Sequence, residues 1–270
     1  MTVPELPTSA SGKSALEVAR ACAKAAGDVI RDGFGRVTVA ATKGRGNVVT
    51  ETDFAAEQAV HEVLRREFPG HAVLSEETAA NTRSDGWMWV VDPVDGTKNF
   101  SCGIPQFAFS LALCFDARPV LALTLQPVLG EEFLAIAGKG TSLNGSPVSV
   151  SPVLAVQDSV FAMDLGYDDN RARLLLELAL SIWPGMQSLR IPGSAALGLA
   201  HVAAGRFDLY LHSNLAPWDL AAGLLLVQEA GGVVTERDGS EATIFSEAVV
   251  AANPAVHADF LALAGSRPWQ

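Results

Sequence analysis

Cysteine is scarce in this sequence of 270 residues, with Cys22, Cys102 and Cys114 the whole complement. An odd number cannot all pair, and the three stand in segments that read as helix, loop and strand, without a C-x-x-C spacing. A disulfide framework is therefore excluded, and reduced thiols in the cytoplasm are expected. Basic residues are also few. Against 19 Lys+Arg stand 30 Asp+Glu, a formal charge of −11, which argues against nucleic acid or an anionic membrane as the main partner. No apolar run approaches the ~20 residues that span a bilayer, and the first residues carry neither the basic nor the apolar region of a signal peptide. Charged residues of all kinds make up 18% of the chain and hydrophobic ones 49%, so it can bury a full core and is not a disordered polyelectrolyte.

Several cofactor signatures are missing as well. Gly12-Lys13-Ser14 resembles the end of a P-loop, but Pro7 occupies the place of its first glycine and no strand precedes it. The glycine pairs at 33/35, 44/46 and 138/140 lack the third glycine of a dinucleotide fingerprint. His61, His71, His201, His212 and His257 show no H-x-H or H-x-x-x-H spacing for zinc.

What is present has a clear rhythm. Residues 1–13 are small and polar and are expected to fray. Ser14-x-x-Glu17 forms a capping box that should open a helix, with Leu16, Ala19, Cys22, Ala23, Ala26, Val29 and Ile30 along one stripe and Gly33 and Gly35 at its end. A β-type run at 37–41 leads into Lys43-Gly44-Arg45-Gly46, expected to be a mobile turn. A second helix is predicted over 54–68. Short strands follow at 72–74, 88–91, 108–115, 119–126 and 132–137. After Pro152 strands and helices alternate: strands at 159–162, 187–191, 207–211, 232–235 and 248–252, helices at 170–182, 195–204, 220–230 and 255–263. This change of rhythm divides the chain into an α+β half, 1–152, and an α/β half, 153–270.

The informative stretch is Trp87-Met88-Trp89-Val90-Val91-Asp92-Pro93-Val94-Asp95-Gly96-Thr97-Lys98-Asn99-Phe100. An apolar strand should stop at Asp92, because Pro93 lacks a backbone donor and Gly96 permits a tight reversal. Two carboxylates then emerge at a strand end, and Gly96 and Thr97 follow with free N–H groups suited to a phosphate. Carboxylates beside a phosphate repel it unless cations lie between them. Glu76 and Glu77 follow another apolar run, and Asp53 and Asp219 head helices, where each alone reads equally well as an N-cap. All-oxygen donors beside a phosphate point to a hard cation, Mg²⁺.

These residues carry a resemblance. The chain resembles the inositol monophosphatase family of Mg²⁺-dependent, lithium-sensitive phosphatases through Val49-Thr50-Glu51-Thr52-Asp53, Ser75-Glu76-Glu77, Asp92 to Phe100, Asn144-Gly145, Gly193-Ser194-Ala195-Ala196, Trp218-Asp219-Leu220-Ala221-Ala222-Gly223 and Glu229-Ala230-Gly231-Gly232. The resemblance implies an α/β layered αβαβα sandwich and a homodimer. It implies two or three Mg²⁺ ions: Glu76, Asp92 and the Val94 carbonyl at the first, Asp92, Asp95 and Asp219 at the second, Glu76 at a weaker third. Thr97, bonded to Asp53, would orient and help deprotonate the attacking water, with Asp53, Glu76 and Thr97 as the catalytic set. Asp95, Gly96, Thr97, Gly193, Ser194, Ala195 and His212 would bind phosphate and substrate, and Lys43 and Arg45 form a candidate flap.

The chain departs from the familiar pattern in places. Ser75 replaces a frequent glycine, Lys98 is expected to be solvated, and His212 stands where animal inositol monophosphatases carry a glutamate that binds inositol hydroxyls. His212 should sit on the loop rimming the pocket, and its titration should favour an extra anionic group as pH falls. The activity implied is hydrolysis of a small phosphorylated metabolite, inositol monophosphate first. Histidinol phosphate, fructose 1,6-bisphosphate or a nucleotide 3′-phosphate are the alternatives within the class, and a catalytically idle binding protein is the alternative outside it.

Overall fold

Ser14 and Glu17 cap each other reciprocally: the Glu17 N–H reaches the Ser14 hydroxyl at 3.2 Å and the Ser14 N–H reaches the Glu17 carboxylate at 2.8 Å. The helix they open, α1 (Ala15–Gly33), buries Ala19, Cys22, Ala23, Ala26 and Ile30 of the predicted stripe together with Val18, which the stripe leaves out, while Leu16 and Val29 are half-buried. The computed structural model describes residues 4–36, 39–42, 44, 48–78 and 85–265. Lys43 and Arg45, and with them the predicted flap, lie outside the described residues. In chain order α1 is followed by β1 (Val39–Thr42), β2 (Val48–Thr50), α2 (Glu51–Glu67), β3 (Ala72–Ser75), β4 (Trp87–Asp95), α3 (Thr97–Ser101), β5 (Ala108–Phe115), β6 (Arg118–Gln126), β7 (Glu131–Ile136), β8 (Thr141–Leu143) and β9 (Ser146–Val148). The remainder comprises β10 (Val160–Asp164), α4 (Asp169–Ile182), β11 (Ser188–Arg190), α5 (Ala195–Ala203), β12 (Leu209–His212), α6 (Pro217–Glu229), β13 (Val233–Thr235), β14 (Val249–Ala252) and α7 (Pro254–Ala264).

Strands β3 to β9 form one sheet in sequence order, antiparallel except for the β3/β4 pair. The second sheet runs β11-β10-β12-β14-β13, with β10 parallel to both neighbours. Alternation along β5 shows how the layers arise. Phe109, Leu111 and Leu113 face α1 and α2, whereas Ala112 and Cys114 face α5 and α6. The second sheet covers the other side of α5 and α6 through Tyr210 and Ala251, and α4 and α7 close its far face through Leu175, Leu178, Val256 and Phe260. The result is the αβαβα order that the resemblance implies, with both sheets resting on one central helical layer.

Three local expectations are corrected. The segment before α1 is fastened rather than frayed: the Ala10 N–H bonds the Glu67 carbonyl, and the hydroxyls of Ser9 and Ser11 and the Lys13 ammonium all donate to the Glu67 carboxylate. Donors on three sides hold that carboxyl at a pKa of about 2, far below its ordinary range. Pro93 does not end its strand, because β4 carries an irregularity between Asp92 and Asp95 against β5, and a proline is tolerated where the ladder needs no donor. Finally, α2 and α6 begin earlier than predicted, at Glu51 and Pro217, which puts Asp53 and Asp219 at the third helical position.

Candidate active site

At the third position of α2, the Asp53 carboxylate turns back to accept the Thr50 N–H at 2.9 Å and the Thr50 hydroxyl. Its other oxygen accepts from the Thr97 hydroxyl at 3.0 Å. Asp219 does likewise at the start of α6, accepting the Ala216 N–H at 2.7 Å. Both aspartates therefore help to cap their helices, as the plain reading of each alone allows, and both also reach the site. Residues Asp92 and Asp95 arrive on β4. The irregularity after Asp92 lets the two carboxylates converge, and Gly96, at φ 89°, makes the left-handed turn into α3 that a Cβ would oppose. A Cβ on Gly96 would also stand 3.0 Å from the carbonyl oxygens of Gln106 and Gly193, so the turn is packed as well as bent.

Oxygens of Asp92, Asp95 and Asp219 lie within 4.8 Å of one another. Among the described residues no ion pair offsets them, and the Asp92 and Asp219 carboxyl groups lie close enough to hydrogen-bond each other. Burial, joined by repulsion from Glu76 and the other aspartates, pushes the Asp92 carboxyl well up. Burial raises Asp95 to about 6, although donors from Ser194, Ala195 and Ala196 oppose the shift. Such a set is unfavourable without a cation and complete with one. The donors are all oxygen, which suits a hard divalent ion rather than zinc or copper.

The Asp95 carboxylate is the most heavily held. It accepts the Ser194 hydroxyl, the Ala196 N–H at 2.9 Å and the Ala195 N–H at 3.3 Å, all from the first turn of α5. The Gly193 N–H goes to Asp164 at 2.6 Å. In this structure the donors of the 193–196 segment are therefore spent on carboxylates. The Thr97 hydroxyl has one proton and two acceptors in reach, Asp53 and the Val94 carbonyl at 2.9 Å. Glu76 follows β3, where the Glu77 N–H is anchored to Glu57 of α2 at 2.9 Å, and it faces the same cavity.

This cavity, of about 280 Å³, is bounded by Glu76, Asp92, Val94 to Asn99, Asp164 to Tyr167, Ile191, Gly193 to Ala195, His212, Asn214 and Asp219. It thus gathers every predicted site residue among the described ones except Asp53, which stands behind Thr97. Lys98 is exposed, as expected, and is also part of the wall. His212 departs from expectation. It is the last residue of β12, buried, with its Nδ1 accepting the Asn214 N–H at 3.1 Å. Burial lowers its pKa to about 4, which favours the neutral imidazole and works against the expected gain for anionic groups as pH falls. Sequence reasoning missed Asp164, Asn99, Tyr167 and Asn214. Asp164 carried a readable signal, since it ends the apolar run of β10 just as Asp92 ends that of β4. Asn99 donates to the carbonyls of Gln106 at 2.7 Å and Pro192 at 2.8 Å, partners that no local pattern announces.

Known proteins resemble this chain in sequence and in fold. The model of the inositol monophosphatase family matches residues 13–267. Inositol monophosphatase 1 of Solanum lycopersicum is 40% identical over 248 residues, 88% of this chain and 90% of that protein. The Nus factor SuhB of Pseudomonas aeruginosa is 37% identical over 246 residues, 88% of this chain and 91% of its own length. Among solved structures, the IMPase of Thermotoga maritima superposes with a TM-score of 0.86 at 31% identity, covering 93% of this chain and 96% of that one.

Proposed function

This chain belongs to the inositol monophosphatase family, and from that premise we propose that it is a Mg²⁺-dependent phosphomonoesterase acting on a small polar phosphate ester, inositol monophosphate first. The observation that carries the reading is the convergence of Asp92, Asp95 and Asp219 within 4.8 Å, beside a Thr97–Asp53 hydrogen bond of 3.0 Å. Those three aspartates, with Glu76 and the Val94 carbonyl, would hold the cations. Bound Mg²⁺ would supply Lewis acidity, making a water more acidic and neutralising the alcohol oxygen as it leaves. The protein's own part is to position and to move a proton. When the Val94 carbonyl is engaged elsewhere, the Thr97 hydroxyl donates its hydrogen bond to Asp53 and accepts one from the attacking water, so that the water's proton can pass to Thr97 as Thr97's own passes to Asp53. The α3 turn at Gly96 and Thr97 presents donors toward a phosphate held against the carboxylates.

His212 and the neighbouring wall set which alcohol fits. With Nδ1 accepting from Asn214, the neutral ring has Nε2–H as its remaining donor. A glutamate at that position would accept from hydroxyls, so exclusive use of inositol is relaxed in this reading. Phosphate release from inositol monophosphate, fructose 1,6-bisphosphate, histidinol phosphate and a nucleotide 3′-phosphate, with Mg²⁺ and with EDTA, tests the reading. Hydrolysis of at least one ester that stops in EDTA supports it, and binding without turnover of any of them would place the chain with idle phosphometabolite-binding proteins. Light scattering tests the homodimer that completes it.

A further inference from the structure

Asp164 is a buried carboxylate on the cavity wall to which the reading above gives no task. It ends β10 directly beside His212 of β12 in the parallel register. One of its oxygens accepts the Gly193 N–H at 2.6 Å and the other accepts the Tyr210 hydroxyl at 2.8 Å. Gly193 belongs to the loop entering α5, and that loop is also gripped by Asn99, which donates to the Pro192 carbonyl at 2.8 Å. The next residues, Ser194 to Ala196, are those that hold Asp95. Tyr210 is itself immobilised, its ring lying against Gly198 so closely that a Cβ there would fall 2.3 Å away.

We propose that Asp164 is a positioning residue: braced by Tyr210, it fixes the loop at Gly193, which sets the first turn of α5 and thereby the orientation of the Asp95 carboxylate toward a cation. A carboxylate suits this place because both oxygens meet a donor and neither is left to compete for the ion. An apolar residue would leave the Gly193 N–H without a partner and the loop held from one side only. The inference rests on the reading of Asp95 as a cation ligand for its consequence, but not for the tether itself. The two are therefore tested separately.

In metal-free protein, hydrogen exchange of a peptide covering 190–197 reads the tether alone. Asp164→Ala should speed exchange there about tenfold, with a peptide covering 169–182 unchanged. Asp164→Asn, whose amide oxygen can still accept from Gly193 and whose amide can donate to the tyrosine oxygen, should restore protection to within about twofold. Tyr210→Phe removes one brace without touching the loop and should lie between, which keeps the test available if the alanine variant folds poorly. Titration with Mn²⁺ alone reads the consequence, and Asp164→Ala should weaken binding about tenfold. With substrate, kcat should fall while KM changes little. Wild-type protection in Asp164→Ala, or exchange in Asp164→Asn as fast as in the alanine variant, overturns the tether. Normal exchange changes with unaltered Mn²⁺ binding overturn the link to Asp95. A wild-type protein that binds Mn²⁺ without hydrolysing any ester would overturn the proposed function and leave this assignment standing.

Discussion

A single carboxylate in this site serves two opposed ends. Asp95 is buried and raised to about 6, so without a cation its charge opposes the fold, while its hydrogen bonds keep it aimed at one point. Asp95→Asn should therefore abolish Mg²⁺-dependent turnover by orders of magnitude. In EDTA at pH 8 the same variant should melt higher than wild type, by on the order of 2–5 °C, since it relieves repulsion from Asp92 and Asp219. Scanning calorimetry and a phosphate-release assay check both halves, and a lower melting temperature in EDTA would contradict the account. Thr97 is the second test at this scale. With Asp53 beneath it, Thr97→Val should lower kcat about a hundredfold with little change in KM, because the hydroxyl matters chiefly as the water loses its proton. Equal loss in both parameters would reduce Thr97 to a structural turn.

Among the elements, α5 carries more of the design than its nine residues suggest. Its first turn grips Asp95, its middle presses Gly198 against the Tyr210 ring, and its last turn places His201 between Phe133 and Phe207. Gly198→Ala must push the ring aside and should cost about 1–3 kcal/mol in denaturant unfolding. The same change should speed exchange at 190–197, since the brace on Asp164 moves with the ring. His201 gives α5 a pH dependence. Burial, aided by the Arg206 guanidinium, lowers its pKa to about 4 from 6.5, so the folded state prefers the neutral ring. A lowered histidine pKa contributes stability that is present above 6.5 and is lost as pH falls toward 4, where the unfolded chain binds the extra proton. That loss is on the order of 3 kcal/mol in full. His201→Gln should flatten the fall in stability between pH 7 and pH 4.5, as urea titrations at the two pH values would show.

At the scale of the molecule, all the main layers converge on one cluster of carboxylates. Asp92 and Asp95 come from the seven-stranded sheet, Asp219 from the central helices, and Asp164 and His212 from the second sheet. If these carboxylates hold a cation, its binding is coupled to the packing of the layers. Saturating Mg²⁺ should raise the melting temperature by several degrees over an EDTA-treated sample, following the linkage between a ligand and the fold that forms its site. The increment should shrink to near zero in Asp95→Asn. An unchanged melting temperature in wild type would mean that the three aspartates do not form a site of useful affinity.

The sequence by itself determined the chemistry that depends on neighbours in the chain. The Ser14–Glu17 box, the glycine turn after Asp95 and the all-oxygen donor set follow from local spacing, whereas the layer order was legible only through the resemblance that the motifs carry. Tertiary structure alone decided which groups meet. Ser194 reaches Asp95 across 99 residues, Asp164 accepts from Gly193 across 29, and Ser9 and Ser11 fasten a terminus to Glu67 more than fifty residues away. It also decided the charge on His212, which the residue's identity leaves near 6.5 and burial moves to about 4. Periodicity and caps record short-range geometry, whereas burial and long-range donors exist only once the layers have closed, and it is these that set both protonation and the aim of each carboxylate.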